Sequence, residues 1–290
     1  MTSVLYDLPG PKAKRRNLLL SLAGTLLLCS AVAFVLVRMA ETGQFDARLW
    51  SWITYSNVQN LLLHSLGNTL AAFTAASALS LALGLVLAAA RFSDNRLIVG
   101  SATVFTELFR AIPVLVLIFI LFFGLSRGLG VNISSYWAVV LGLTLYMGSV
   151  LGEVFRAGVL AVPRGQSEAA YALGLRKNQA LTAILLPQAL RFMLPTILSQ
   201  LVVVLKDTAL GFVILYPELL YQARYLGSQG QLGAPIIQVG MVVAAIYISM
   251  CLLLSGLAKL LERRLNTTAK APQRPRSTRR GRRQRVAAAG

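Results

Sequence analysis

A polar, helix-forming segment, QSEAAYALGLRKNQALTAILLP at residues 166–187, separates two strongly apolar stretches of the chain. Ala, Glu and Leu are good helix formers, and Gly174 can adopt the positive φ angle that ends a helix. We therefore predict a short helix at 166–173. A second short helix is predicted at 176–185, and Pro187 should stop or kink it before the next apolar stretch.

The composition around this segment predicts an integral membrane protein, since 56% of the 290 residues are hydrophobic and 13% are charged. About 20 apolar residues make a helix that crosses a hydrocarbon core of roughly 30 Å. The first apolar run continues past the small residues at 31–33 that resemble a signal-peptide cleavage site, so we expect it to be retained as a span. We predict an all-α polytopic protein with six transmembrane helices, at 18–37, 62–90, 98–125, 136–155, 188–215 and 236–260.

Basic residues are distributed unevenly between the two sides of these predicted spans. With a cytoplasmic N-terminus, 23 of the 28 Lys and Arg residues fall on the cytoplasmic side. Loops rich in Lys and Arg stay in the cytoplasm, so this bias sets the orientation. We therefore predict a multi-pass plasma-membrane protein with both termini in the cytoplasm, and the polar segment at 166–187 lies on the same side.

The net charge of +18 is concentrated at the C-terminal end, where eleven basic residues from Lys259 onward oppose Glu262. The tail has almost no apolar pattern and no aromatic residues for base stacking, so we expect a disordered segment on anionic lipid headgroups and no nucleic-acid binding. The predicted organisation has three parts. These are a basic N-tail with the first span and an external loop at 1–59, a transmembrane domain at 60–262, and the disordered cytoplasmic tail at 263–290.

The polar segment resembles the coupling segment of the permease subunits of binding-protein-dependent ABC importers. The family's Glu-Ala-Ala, Gly, nine residues and Ile-x-Leu-Pro are in register here at 168–170, Gly174 and 184–187. The resemblance covers about 60–262 and implies the type I ABC importer permease fold. It also implies that a separate ATPase contacts the coupling helix, whose small side chains at Ala169, Ala170 and Ala172 would let that partner approach closely. The coupling residues it implies are Gln166, Glu168, Ala169, Ala170 and Gly174.

The sequence contains no set of residues suited to catalysis or to metal binding. His64 is the single histidine, and no Gly-x-x-x-x-Gly-Lys-Ser/Thr phosphate loop occurs. We expect no metal site, no cofactor in this chain and no ATP hydrolysis by the chain itself. Energy for moving a solute uphill must then come from a partner or from a coupled ion.

Two further motifs resemble the polar amino-acid branch of these permeases. The first is Glu-x-Phe-Arg-x-x-Pro at 107–113, where Pro113 should kink a helix and Arg110 should stay at the inner headgroup level. The second is Glu-x-Phe-Arg-x-Gly at 153–158. On a helix Glu153 and Arg156 share one face, so they form either a simple surface ion pair or a link that transmits movement of the coupling helix.

A charged pair, Lys206 and Asp207, lies near the midpoint of the predicted fifth span. A charge inside a membrane costs about 2.5–3.5 kcal/mol on insertion scales and usually faces a bundle interior or a water-filled path. Neighbouring helical residues point about 100° apart, so the two should have separate partners or face a pathway. The sequence KDTAL at 206–210, with Thr208 at its centre, resembles the family's Lys, Asp or Asn, Ser or Thr, Ser, Leu, except that Ala209 lacks the hydroxyl. A pathway lysine would suit a substrate carboxylate and the aspartate its ammonium group, although helix packing or gating would explain the same charges.

The resemblance implies a complete transport system around this chain. Its partners would be cytoplasmic ATP-binding subunits, a second identical or homologous permease subunit, and an extracytoplasmic solute-binding protein. The solute would be a polar amino acid, and the extra first span and basic tail resemble the glutamate-type permeases of actinobacterial importers. Two alternatives stay open. An ion-coupled secondary amino-acid carrier would use Lys206 and Asp207 as its coupling site, and a non-transporting membrane anchor would tolerate their neutral substitution.

Overall fold

The computed structural model describes residues 10–267, and all regular secondary structure in this range is helical. Two helices contain a π-helical turn, at Ile120–Gly124 and at Ala180–Leu185, and a 3₁₀ helix covers Ala47–Thr54. The main helices are α1 (Pro11–Glu41), α2 (Ser56–Arg91), α3 (Arg96–Ala111), α4 (Val114–Leu129), α5 (Ser135–Leu160), α6 (Arg164–Ala172), α7 (Lys177–Ile214), α8 (Leu219–Gly227) and α9 (Ile236–Thr267).

Within the described range, five helices are long and apolar enough to cross a membrane, namely α1, α2, α5, α7 and α9. The pair α3 and α4 makes a sixth span if the two are counted together. The all-α class is therefore confirmed, and the described residues contain five spans, or the predicted six if α3 and α4 form one broken span.

The third span differs from the prediction of one helix at 98–125, because α3 and α4 meet at 99°. Ile112 has extended backbone angles, φ −86° and ψ 126°, between the two helices. The ring of Pro113 disfavours helical angles at the preceding residue and removes a backbone donor. The predicted kink is therefore a complete break.

The expectation that Pro187 ends a separate short helix is wrong, since α7 runs from Lys177 to Ile214 as one element. A π-helical turn at Ala180–Leu185 directly precedes the α-helical segment that begins at Leu186. Pro187 thus lies in the first turn of that segment, where a missing N–H is tolerated. The part of the polar segment from Lys177 onward is therefore continuous with the next span.

The chain forms two compact units, and the first contains residues 10–64 and 222–244. Helix α1 has no buried side chain. Trp52 of the 3₁₀ helix is buried. The side-chain amide of Gln238, also buried, donates to the carbonyl oxygen of Gln44 at 2.5 Å.

The second unit contains residues 65–221 and 245–267 of the described chain, and α5 carries its core. One cluster of buried side chains includes Ala72, Ile118, Leu143, Met147, Val204 and Ile214. Further along α5 a second cluster includes Leu151, Phe155, Val159, Ala189, Met193 and Ile197. Helix α5 therefore packs along α7 through both clusters.

Glycines permit the close approach of α5 to its neighbours, as small residues do in membrane helix packing. A Cβ added at Gly142 would lie 2.7 Å from the side chain of Ile118, and one at Gly148 would lie 2.7 Å from Leu83. A Cβ at Gly152 would lie 3.1 Å from Leu87. These three glycines have the packing role that their spacing on α5 suggests.

The C-terminal boundary also differs from the predicted organisation. Helix α9 extends to Thr267, so residues 263–267 are helical although they belong to the segment predicted as disordered. An amphiphilic helix can continue through basic residues once it is nucleated, because each further residue adds one backbone hydrogen bond. The remainder of that predicted tail lies outside the described residues.

Candidate coupling site

Helix α6 forms where the polar segment predicts it, with its start two residues earlier than expected. Gly174 has φ +78° and follows the C-cap. Its N–H donates to the carbonyl of Tyr171 at 2.9 Å, and the N–H of Leu175 donates to the carbonyl of Ala170 at 3.2 Å. These two bonds make the Schellman ending in which a residue with positive φ closes a helix. The predicted role of Gly174 as the helix end is confirmed.

The outer surface of α6 is formed by side chains that include Glu168 and Ala169, both exposed. Ala170 is only 3% exposed and points into the chain, so the expectation that it faces a partner is wrong. Successive helical residues turn by about 100°, which separates Ala170 from its neighbour Ala169. Sequence reasoning missed Leu173, which is 82% exposed at the end of the helix.

The inner surface of α6 is attached to the beginning of α7. The side chain of Gln188 donates to the side-chain oxygen of Gln166 at 3.1 Å. Ala170 is buried on this side, and Ala180 of the π-helical turn is fully buried. Lys177, the first residue of α7, forms an ion pair with Asp94 in the loop between α2 and α3. Gln166 therefore has a partner within this chain, which the sequence did not indicate.

Glu153 lies between two arginines near the end of α5. It pairs with Arg156 at 2.7 Å, as the spacing predicts, and also with Arg91 at the end of α2. The Arg91 side chain is 11% exposed, so the cluster is more than the simple surface pair that remained an alternative. Two motif neighbours explain why α5 ends close to α7: Phe155 is buried, and a Cβ added at Gly158 would lie 2.7 Å from Met193.

Arg110 lies in the last turn of α3, just before the break at Pro113. Its guanidinium is 3.7 Å from Glu107, and both side chains are exposed. The two motif charges therefore pair with each other on the surface of α3.

Lys206, Asp207 and Thr208 lie where α7 changes from an α-helix to a 3₁₀ helix. This is the last third of the element and not its midpoint, because α7 begins eleven residues before the predicted span. Lys206 lines a groove of about 410 Å³ between α7 and α9, together with Ser199, Ser255 and Glu262. Asp207 is half-buried, and the buried hydroxyl of Thr208 donates to the Leu205 carbonyl at 2.7 Å. The three side chains do not converge on one point.

Within the described residues, no side-chain hydrogen bond or ion pair joins the predicted sites to one another. Glu153, Gln166, Arg110 and Lys206 each belong to a separate set of contacts. Two of these sites are connected through α7, because this helix carries both Lys206 and Gln188, the partner of Gln166.

A buried carboxyl that is not among the predicted site residues lies just before α8. Glu218 is fully buried and accepts hydrogen bonds from the N–H groups of Leu220 and Tyr221, at 2.7 and 2.6 Å. The hydroxyl of Tyr247 donates to the same carboxyl at 2.7 Å. Burial raises the pKa of Glu218 to about 7, although these three hydrogen bonds act in the opposite direction.

The segment around Glu218 is also bonded to α2. The Tyr216 hydroxyl donates to the carbonyl of Asn68 at 2.8 Å, and the Asn68 side chain donates to the carbonyl of Pro217 at 2.9 Å. The N–H of Leu219 donates to the hydroxyl of Thr69 at 3.2 Å. The segment that follows α7 is thus held by two other helices, which hydropathy and motif spacing did not predict.

The family model described as "binding-protein-dependent transport system inner membrane component" matches residues 80–267. The chain belongs to this family. Membership confirms the resemblance inferred from the polar segment. It also shows a membrane-spanning transport subunit, and it favours the importer over the ion-coupled carrier.

Relatives within this permease family include several whose names give an amino acid. The chain is 36% identical over 253 residues to the glutamate transport system permease protein GluD of Corynebacterium glutamicum, covering 82% of this chain and 89% of that protein. It is 34% identical to the probable glutamine ABC transporter permease protein GlnP of Bacillus subtilis, over 63% of this chain and 84% of that protein. It is 32% identical to the arginine transport system permease protein ArtQ of Bacillus subtilis, over 71% of this chain and 93% of that protein.

Solved structures of ABC transporters share the fold of this permease. The crystal structure of an amino acid ABC transporter with histidines matches with a TM-score of 0.66 and 31% identity, covering 73% of this chain and 98% of that one. The inward-facing MetNI methionine ABC transporter matches with a TM-score of 0.61 at 18% identity, covering 72% of this chain and 98% of that one. At this identity the match shows the fold alone. The predicted type I importer permease fold is confirmed.

Proposed function

We propose that this permease moves a polar amino acid, with glutamate as the first candidate, into the cell by using ATP hydrolysis on a separate subunit. One observation carries the coupling part of this proposal. The outer surface of α6 is exposed while its inner surface is bonded to α7 through Gln166 and Gln188. A subunit that binds the outer surface would therefore act directly on a membrane-spanning helix. The choice of glutamate is supported by the similarity to GluD over most of both chains.

The proposed assembly follows from family membership and from the orientation that the basic residues predict. Both termini and α6 lie in the cytoplasm, where two ATP-binding subunits contact Glu168, Ala169 and the end of the helix at Gly174. A second permease subunit, identical or homologous, completes the passage. A solute-binding protein delivers the amino acid from the opposite side.

Coupling in this proposal proceeds along α7. Closure of the ATP-binding subunits displaces α6, and the contacts of Gln166 and Ala170 transfer this displacement to the beginning of α7. The same helix carries Lys206 into the groove beside α9. There the ammonium group of Lys206 attracts a substrate carboxylate, and Thr208 holds the local backbone. Asp207 does not line this groove, so it acts beside Lys206 as a gate residue. Arg110 and Glu153 act at the ends of neighbouring helices as gate or linkage residues.

The test is uptake of radiolabelled glutamate into proteoliposomes that hold the permease with its cognate ATP-binding subunit. We expect uptake to require both internal ATP and added binding protein. Lys206→Gln and Asp207→Asn should lower uptake while ATP-binding subunits remain attached. Uptake driven by an ion gradient without ATP would support a secondary carrier instead, and full uptake by both variants would remove the proposed pathway role of the pair.

A further inference from the structure

A cavity of about 470 Å³ lies beside α6 and is not used by the proposed coupling contacts. Most of its wall is apolar, and four polar side chains, those of Arg164, Ser167, Tyr171 and Lys177, complete the lining. The apolar side chains come from the segment after α2, the end of α5 and the beginning of α7: Phe92, Val159, Leu160, Val162, Leu181 and Leu185.

The cavity is placed at the ends of membrane-spanning helices. Helix α5 ends at Leu160, and α7 begins at Lys177. Charged and aromatic side chains at such ends meet lipid headgroups, whereas apolar side chains one turn further along meet acyl chains. Along α7, the charged Lys177 is followed one and two turns later by the apolar Leu181 and Leu185, which is the order of headgroup and acyl chain in a phospholipid.

The charges of the cavity are positive. The guanidinium of Arg164 has no ion pair among the described residues, and its side chain is exposed. Lys177 pairs with Asp94, whose side chain is 85% exposed and therefore offers a weakly held, solvent-screened partner. A phosphate group between Arg164 and Lys177 would pair with Arg164 and compete with Asp94 for Lys177.

Helix α6 presents this cavity with one stripe of side chains. Arg164, Ser167 and Tyr171 follow the i, i+3, i+7 spacing of a single helix face. Ala169 and Ala172 point elsewhere and are exposed. The lining therefore leaves Ala169 and Ala172 free for the ATP-binding subunit, whereas Glu168, four residues after Arg164, lies at the boundary between the two surfaces.

We propose that this cavity binds an anionic phospholipid, with its phosphate between Arg164 and Lys177 and an acyl chain along the apolar wall. Basic pockets between membrane helices on the cytoplasmic side are suited to anionic headgroups, because that leaflet is rich in them. The bound lipid tethers the membrane side of α6, and so the composition of the bilayer regulates coupling. Only the choice of leaflet rests on the proposed orientation, and the binding itself does not depend on transport.

The experiment measures lipid binding by native mass spectrometry of the full-length permease in detergent, with phosphatidylglycerol and phosphatidylcholine as probes. We expect one phosphatidylglycerol to bind in preference to phosphatidylcholine. Arg164→Gln and Lys177→Gln should each weaken it about fivefold, since one basic residue near anionic lipid contributes about 1 kcal/mol. Leu181→Trp, which fills the cavity without changing charge, should weaken both the preference and the binding.

Arg176→Gln is the matched control, because Arg176 lies in the same segment but does not line the cavity. Equal binding by the Arg164→Gln and Arg176→Gln variants would overturn the proposal, and so would equal retention of the two lipids. Displacement of the lipid by millimolar inorganic phosphate would show that the anion binds without its chain, against the proposal. The proposal would also be overturned if the lipid no longer bound once the ATP-binding subunits were attached. The cavity would then belong to the interface with those subunits. If the permease binds the lipid as expected but shows no amino-acid uptake in proteoliposomes, the proposed function would be wrong and the lipid site would stand.

Discussion

At the scale of single residues, the motifs predict some of the partners of buried charged groups, and the other partners come from distant helices. Glu153 belongs to a recognisable motif, yet its second cation, Arg91, lies 62 residues away and comes from another helix. Glu218 is not among the predicted site residues, yet it is fully buried and accepts three hydrogen bonds. A buried carboxyl needs such partners because desolvation of its charge is costly.

The raised pKa of Glu218 predicts a pH-dependent stability. The folded protein keeps a proton on this carboxyl up to a pH of about 7, whereas the unfolded chain loses it near 4.5. Because the folded state binds more protons between these values, the free energy of unfolding should fall as pH rises through this window. Apparent melting temperatures in detergent from pH 5 to pH 8 should show this slope in the wild type.

Glu218→Gln removes the titrating group, so its melting temperature should change less across the same pH range. Glu107→Gln is the control, since Glu107 is exposed on α3 and its removal should leave the wild-type slope intact. A slope that persists unchanged in the Glu218→Gln variant would show that another group causes it.

At the scale of helices, two elements define how the permease works, α6 and α7. The short α6 ends at Gly174 in a closed turn and is bonded to the beginning of α7. Because Pro187 falls in the first turn after a π-helical segment, α7 continues from this contact to Lys206. The coupling helix and the proposed pathway therefore share one continuous element.

Charge reversal on the outer surface of α6 tests its proposed partner. Glu168→Lys should reduce co-purification of the co-expressed cognate ATP-binding subunit by at least about tenfold, because placing like charges together at an interface costs several kcal/mol. Pull-down through a tag on the permease measures this. Glu41→Lys makes the same charge change on an exposed site at the end of α1 and should leave co-purification unaltered. Normal co-purification and uptake in the Glu168→Lys variant would refute the coupling role.

Helix contact through glycine is tested by two substitutions on α2. A Cβ at Gly84 would lie 2.9 Å from the Leu151 Cβ and 3.1 Å from the backbone nitrogen of Gly152, so Gly84→Ala should lower stability by about 1–3 kcal/mol. Gly67 on the same helix has no neighbour within 4 Å. Gly67→Ala should therefore raise stability by about 0.5–1 kcal/mol through helix propensity. Thermal unfolding in detergent compares them, and equal effects would contradict the close packing of α2 on α5.

At the scale of the whole molecule, an even number of spans places both termini on one side of the membrane. The described chain has five long apolar helices and one bent pair, and the number of spans is even if that pair makes one crossing. The excess of Lys and Arg in alternate loops predicts that this side is the cytoplasm.

Terminal fusions test this topology. A green fluorescent protein fused to either end should fluoresce, and an alkaline phosphatase fused after Gly290 should be inactive, because that enzyme needs the oxidising side of the membrane. A phosphatase fused after Phe45, between α1 and α2, should be active and serves as the positive control. An active C-terminal phosphatase would mean that α3 and α4 do not together make a crossing, and it would place α6 on the wrong side for an ATP-binding subunit.

Properties set by composition and local spacing could be predicted from the sequence alone. These are the helical membrane class, the six apolar segments, a short helix at about 166–173 with its end at Gly174, and the spacing of Glu153 and Arg156. Each depends on residues within a few turns of one another, for which periodicity and propensity are sufficient. The tertiary structure was needed for the 99° break at Pro113, the passage of α7 through Pro187, the inward side of Ala170, and the partners of Glu153 and Glu218. These depend on which distant helices lie alongside, since burial and hydrogen bonding are decided by contacts between segments far apart in the chain.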